Sequence, residues 1–212
     1  MPDLVLESAL RASGRFRIAG IDEAGRGPLA GPVAAAAVIL PDHFSCPGLD
    51  DSKKISPGKR EDLYHRLTTD PSVFWRVATA DREEIDRLNI LKATHLAMRR
   101  AAEALDPLPD YCLIDGLPVG DFPFPYDGII KGDGRSLSIA AASIIAKVTR
   151  DRIMAEIDRE FPQFGFAKHQ GYGTKAHLEA LRTHGPCCHH RRSFQPVAQF
   201  TLPLDGTGRR GA

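Results

Sequence analysis

The sequence predicts an α/β fold, a mixed central sheet covered by helices, and three observations carry that expectation. Strand-like apolar segments come first and helical patterns dominate later, with some alternation between them. Two strand segments, IAGID and YCLID, end in an acid, at Asp22 and Asp115. Residues 138–160 repeat apolar residues at helical spacing, placing Ile139, Ala142, Ile145, Ala146, Ile153 and Ile157 on one face.

The elements follow in chain order. Residues 16–22 and 32–40 read as two strands joined by the glycine-rich turn EAGRGPLAG, so an antiparallel pair is expected. The segment PDHFSCPGLDDSKK is rich in Pro, Gly and Asp and reads as a loop. Ser56 is placed to cap a helix with Pro57 at its first position, and Leu63 and Leu67 lie four apart on it. Residues 73–80, which hold the single tryptophan Trp75, form a third strand. Asp81 and Glu84 have capping-box spacing. Asn89 separates that short helix from a longer one over 90–105, which Asp106-Pro107 ends. Short strands are expected at 111–114 and around 128–131. The helix over 138–160 begins with small residues (AAAS), which lets its first half approach the sheet closely. Thr174 can cap a last helix over 175–183, stopped by Gly185-Pro186.

With 212 residues, 42% of them hydrophobic and 26% charged, the chain suits one globular domain over 1–200. A small helical part is expected at about 165–200 and a disordered tail at 201–212. Cys46, Cys112, Cys187 and Cys188 show no disulfide framework, which fits a reduced, cytoplasmic setting. Asp3 and Glu7 stand where a signal peptide carries positive charge, and no apolar run is long enough to span a bilayer. A monomer is the default expectation. The net charge of +1 excludes a uniformly basic coat but leaves room for a local basic face. Basic residues cluster at Lys53, Lys54, Lys59 and Arg60, at Lys147, Arg150 and Arg152, and from His189 to Arg192. On charge alone such runs read as ordinary solvated surface.

Asp22 and Asp115 meet at one sheet edge if their strands lie side by side in the same direction, and crevices at strand ends are where open α/β sheets place ligands. Glu23 adds a third carboxylate. Successive strand residues point to opposite faces, so Asp22 and Glu23 converge only if the strand bends there, which the glycines at 25 and 27 permit. Asp133 adds a fourth, in KGDG ahead of the long helix. Like charges raise one another's pKa, and hard divalent cations resolve that conflict. Two such ions, about 3.5–4 Å apart, clamp a phosphate for in-line attack, one generating the nucleophile and the other stabilising the leaving oxygen. The residues alone also allow a plainer reading: Asp115-Gly116 as turn chemistry, Asp133 as a loop residue or cap, and Asp22 and Glu23 as surface turn residues.

The stretch GIDEAGRGPLAGPV at 20–33 resembles the signature of ribonuclease HII. Further blocks are similar to the same family in the same order: LDDSKKIS (49–56), LIDG (113–116), KGDGRSLSIAAASIIAKVTRDR (131–152), KHQGYGTKAHLEAL (168–181) and HRRSF (190–194). The resemblance covers most of residues 18–197. It implies a ribonuclease H-like catalytic domain whose acids Asp22, Glu23, Asp115 and Asp133 bind two Mg²⁺ or Mn²⁺ ions. It implies that the backbone of Gly25-Arg26-Gly27 reads the ribose 2′-hydroxyl, the group that separates RNA from DNA. Tyr172 matches a tyrosine that stacks on the neighbouring sugar. Ser52, Lys53 and Lys54 look like phosphate contacts, and Arg191 and Arg192 are further candidates. The implied substrates are RNA·DNA hybrids and duplex DNA with embedded ribonucleotides, cut to 3′-hydroxyl and 5′-phosphate ends. A junction resolvase-like nuclease of the same fold and a non-catalytic hybrid-binding protein are the alternatives. The contiguous run Cys187–Cys188–His189–His190 cannot easily wrap a tetrahedral zinc, and both histidines are expected to line the basic surface.

Overall fold

The structure, a computed structural model, describes residues 1–200, and the tail expected at 201–212 lies outside the described residues. Five strands, β1 (Ile18–Ala24), β2 (Val33–Ile39), β3 (Phe74–Ala80), β4 (Tyr111–Asp115) and β5 (Tyr126–Ile129), form one sheet in the order β3-β2-β1-β4-β5. β1 pairs antiparallel with β2, and β2 antiparallel with β3. β4 runs parallel to both β1 and β5, so the sheet is mixed, as expected.

Side-chain alternation splits the core into two layers. Ala19, Ile21, Ala35, Ala37, Cys112 and Ile114 pack with Ala93, Ala97 and Ala101 of a helix over Ile90–Glu103. On the other face Ala36 and Val38 pack with Leu63 and Leu67 of the helix Pro57–Thr69, and with Ala140, Ile144 and Ile145 of the long helix Leu137–Glu160. We number the helices α1 (Val5–Ala12), α2 (Pro57–Thr69), α3 (Arg82–Leu88), α4 (Ile90–Glu103), α5 (Leu137–Glu160), α6 (Phe166–His169) and α7 (Lys175–His184).

α5 is buried on every side from Leu137 to Ala146, not on one stripe. It lies against the middle of β1, where a Cβ on Gly20 would stand 2.1 Å from the backbone carbon of Ser138. The small first turns exist for that approach. The single apolar face holds only beyond Ala146, where Lys147 and Asp151 form an ion pair at 2.6 Å.

Two strand boundaries and one helix depart from expectation, among other shifts of one or two residues. β1 starts at Ile18, because the amides of Phe16 and Arg17 donate to the Asp110 carboxylate. β5 ends at Ile129, before Lys131 takes a left-handed conformation at φ 55°. α1 was not expected at all. Its Leu6 and Leu10 pack near Ile18 and Ile139, and its buried Glu7 accepts hydrogen bonds from the hydroxyls of Ser136 and Ser138, both at 2.6 Å. The spacing of Leu6 and Leu10 was a visible helical signal. α6 and α7 follow α5, with Phe164 and Phe166 packed on Met154 and Ile157. Among the described residues no helix is long and apolar enough to cross a membrane, and all four cysteines are free.

Candidate active site

The parallel pairing of β1 and β4 matches Ile21 with Ile114, so the next residues, Asp22 and Asp115, leave the same sheet edge. By strand alternation Asp22 shares its face with Ile18 and Gly20, and Asp115 shares its face with Leu113. Ile18 and Leu113 pack on Ile139, so both aspartates lie on the side of α5. Asp133 comes from a 3₁₀ turn, Gly132–Gly134, immediately before α5. Asp115 Oδ1 fastens that turn by accepting the Gly132 amide at 2.6 Å. One carboxylate oxygen from each of Asp22, Asp115 and Asp133 lies within 4.8 Å of the others. This is the only such group of potential metal ligands among the described residues.

Electrostatics mark the same spot. Burial first, then the charges of Glu23 and Asp115, hold the Asp22 carboxyl well above its ordinary range. Burial and Asp115 likewise raise Asp133. Glu23 is raised chiefly by burial, against the pull of Arg26. Partial burial lowers the Lys53 ammonium, but Asp22, Asp51, Asp133 and Asp115 outweigh it and leave the group raised. Such a shortage of positive charge fits a site built for cations.

The bend that would bring Glu23 beside Asp22 is absent. Pairing with β2 continues unbroken through Glu23–Ala35 and Ala24–Ala34. Glu23 therefore points to the α4 side, where it contributes to a cavity with Asp115, Thr94 and His95, and its carboxylate meets Arg26 at 3.3 Å.

Two neighbouring cavities, both lined by Lys53, gather the remaining candidates. Although they leave opposite faces of β1, Asp22 and Glu23 both reach one of them, at the strand end, with Gly25, Arg26, Gly27, Ser52 and Tyr172. The other joins Asp115 and Asp133 to Lys54. Gly25 sits at φ 97°, and a Cβ there would stand 1.9 Å from the Arg150 side chain, so only glycine fits. Tyr172 is 48% exposed, and a Cβ on Gly27 would lie 3.4 Å from its ring. Ser52 is buried and its amide donates to the Ser143 hydroxyl at 3.2 Å. Lys54 is exposed and pairs with Asp50 at 3.2 Å.

Two expectations for the basic runs are corrected. Arg191 is fully buried, so it is no surface contact for phosphate. Its guanidinium donates to the carbonyls of Gly31 at 3.0 Å, Arg26 at 2.8 Å and Gly25 at 2.6 Å. Arg150 is buried beside it and donates to the carbonyls of Pro32, Gln170 and Ala30. The cost of burial lowers both guanidinium groups, Arg191 to about 9 and Arg150 to about 10, and both stay cationic at neutral pH. His190 is also fully buried and does not line a basic surface, while His189 is half-buried against Phe161.

A buried histidine chain escaped the sequence reading. The His177 Nδ1 lies 2.9 Å from the Tyr172 carbonyl, which can only accept, so Nδ1 carries the proton. The Cys187 amide donates to His190 Nδ1 at 3.0 Å, so His190 carries its proton on Nε2 and gives it to His177 Nε2, 3.0 Å away. Both rings are thus neutral, each in one tautomer. Burial first, then His177, pulls His190 from its ordinary 6.5 to about 4. Its folded-state pKa lies below the unfolded value, so its contribution to stability is complete above pH 6.5 and lost as pH falls toward 4. The loss amounts to roughly 3 kcal/mol at most. His190→Gln is therefore expected to flatten the pH dependence of thermal stability across that window, and an unchanged slope would contradict the neutral pair.

A family model described as ribonuclease HII matches residues 19–197. The ribonuclease HII of Desulfitobacterium hafniense (strain DSM 10664 / DCB-2) is 54% identical over 193 residues, covering 91% of this chain and 74% of its own. That of Ruegeria pomeroyi is 54% identical over 198 residues, covering 92% and 83%. The crystal structure of ribonuclease H2 from Pyrococcus horikoshii OT3 superposes with a TM-score of 0.73 at 25% identity, covering 87% of this chain and 97% of that one.

Proposed function

Because the chain belongs to the ribonuclease HII family, we propose that its carboxylate cluster holds two divalent cations, Mg²⁺ or Mn²⁺, and cuts both RNA·DNA hybrids and duplex DNA with embedded ribonucleotides. Membership makes the protein a metal-dependent endoribonuclease that acts on RNA in hybrids. The observation that carries the finer reading is the meeting of Asp22, Asp115 and Asp133 within 4.8 Å.

The donor set fits the metal. All candidate ligand atoms are carboxylate oxygens, the hard donors that Mg²⁺ and Mn²⁺ prefer, and their mutual repulsion is relieved by added positive charge. Asp22, Asp115 and Asp133 hold the ions in this reading, and Glu23 joins from the opposite face of β1. When bound, the cations supply an activated water and neutralise charge on the leaving oxygen. Lys53 and Lys54 draw in the phosphodiester backbone as point charges without reading sequence, and Ser52 borders the same path. Gly25-Arg26-Gly27 present backbone to the sugar, and the exposed ring of Tyr172 stacks on the neighbouring one. The products carry 3′-hydroxyl and 5′-phosphate ends, and the cellular roles are removal of misincorporated ribonucleotides and of RNA primers. The four free cysteines suit a reducing compartment such as the cytoplasm, and a monomer is the proposed state.

The test is a DNA duplex carrying one ribonucleotide. We expect a single cut at that residue, dependent on added Mg²⁺ or Mn²⁺ and abolished by chelator. A junction resolvase-like enzyme would leave this duplex whole and cut a four-way junction, and a non-catalytic binder would cut neither.

A further inference from the structure

Two buried guanidinium groups lie under the glycine-rich turn that follows β1, and neither forms an ion pair among the described residues. Instead they spend six hydrogen bonds on main-chain carbonyls. Burying a cation without an anionic partner is costly, so those carbonyls are held for a reason beyond simple packing.

We propose that Arg191 is a positioning residue that sets the sugar-reading geometry of Gly25-Arg26-Gly27, by clamping the Gly25 and Arg26 carbonyls with one guanidinium fork. The argument is one of peptide planarity. In a trans peptide the C=O and N–H point in opposite directions. With the Gly25 carbonyl fixed 2.6 Å from Arg191 Nη2, the Arg26 N–H turns away from Arg191. With the Arg26 carbonyl fixed 2.8 Å from Nη1, the Gly27 N–H turns the same way. Neither N–H has a hydrogen-bond partner among the described residues. Both belong to residues that line the cavity with Asp22, Glu23 and Tyr172. The result is a pair of adjacent, pre-aimed donors beside the Tyr172 ring, suited to one sugar oxygen.

Arg191 has the geometry for this and lysine does not. Its planar fork reaches two successive carbonyls at once, whereas an ammonium is a single point. Phe194 supports the fork from below, with its ring centre 5.0 Å from the guanidinium carbon. Arg191 Nε also holds the Gly31 carbonyl, and its own amide donates to the Leu29 carbonyl at 2.8 Å. The segment bearing Arg191 is thereby tied to both ends of the turn. Arg150 acts from the other side, linking Ala30 and Pro32 to the Gln170 carbonyl two residues before Tyr172.

The inference rests on the proposed reading of the ribose by this turn, and the test separates the two. Affinity is measured in an Asp22→Asn background for a duplex with one ribonucleotide and for the same duplex in all-DNA form. The parent is expected to prefer the ribonucleotide duplex. Adding Arg191→Lys is expected to erase about tenfold of that preference, the worth of one or two hydrogen bonds. All-DNA affinity should hold within about twofold, since the phosphate contacts are untouched. A merely structural role would instead weaken both affinities in parallel, which overturns the proposal, as does a preference left intact in a folded Arg191→Lys protein. Should circular dichroism show that Arg191→Lys does not fold, Phe194→Leu, which removes the support and keeps the fork, is read by the same two outcomes. A parent protein with no preference for the ribonucleotide would sink the sugar-reading turn itself.

Discussion

Asp22→Asn is expected to lower the single-turnover cleavage rate by roughly 10³-fold or more while leaving hybrid affinity within about twofold. Asp22 is the central member of the cluster: it is 5% exposed and feels Glu23, Asp115 and Asp133 together. The amide keeps the shape and the hydrogen bond from the Glu23 amide, 2.7 Å in the parent, but supplies no negative charge. The proposed phosphate contacts at Lys53 and Lys54 are untouched, so binding is expected to persist. The same variant is expected to stabilise the metal-free protein by about 1 kcal/mol, or roughly 2–4 °C in melting temperature. The sign follows from the raised pKa. In the folded protein the charged form of Asp22 is disfavoured, so its ionisation above the unfolded pKa costs stability that the neutral amide does not. Divalent metal should reverse the ranking, raising the melting temperature of the parent more than that of the variant. Calorimetry with chelator and with Mn²⁺ reads both effects. Full activity in Asp22→Asn would contradict a carboxylate-held metal site.

Gly20→Ala is expected to have the largest effect on stability, a loss of about 3 kcal/mol. An added Cβ would stand 2.1 Å from the Ser138 carbon, 2.3 Å from the Ile139 nitrogen and 2.5 Å from the Ser138 oxygen. All three are backbone atoms near the start of α5, so no side chain can swing aside. Either α5 moves off the sheet or β1 shifts. Glu7 resists the first movement, because its carboxylate accepts the Ser138 amide at 3.0 Å and holds the helix start in place. The consequence reaches the site, since β1 carries Asp22 and α5 follows Asp133. For a chain of this length the fall in melting temperature should be roughly 6–12 °C, read by thermal denaturation. A melting temperature within 2 °C of the parent, on the scale of about 1 kcal/mol or less, would show that the approach of α5 to β1 is looser than described.

The sequence made the sheet and the carboxylates legible because both follow local rules. Apolar runs ending in an acid at Asp22 and Asp115 marked two adjacent strands, and the small first turns of α5 foretold its close approach. What stayed hidden depends on long-range contacts. The burial of Arg150 and Arg191 follows from bonds to carbonyls more than 100 residues away, except for Gln170. A basic run in sequence cannot show whether its members point outward to phosphate or inward to backbone. The chain from Cys187 through His190 and His177 to Tyr172 steps over no more than 13 residues at a time, but the contiguous CCHH run gives no sign that His190 turns inward to meet His177. The side on which Glu23 lies was open for a different reason: the glycines at 25 and 27 permit a bend, and only the unbroken pairing with β2 shows that β1 stays straight through Ala24.

Anomalous diffraction from crystals of the protein soaked with Mn²⁺ tests the central claim most directly. Density for manganese in contact with the carboxylates of Asp22 and Asp115 is the expected result. Manganese bound only elsewhere, with those two carboxylates bare, would contradict it.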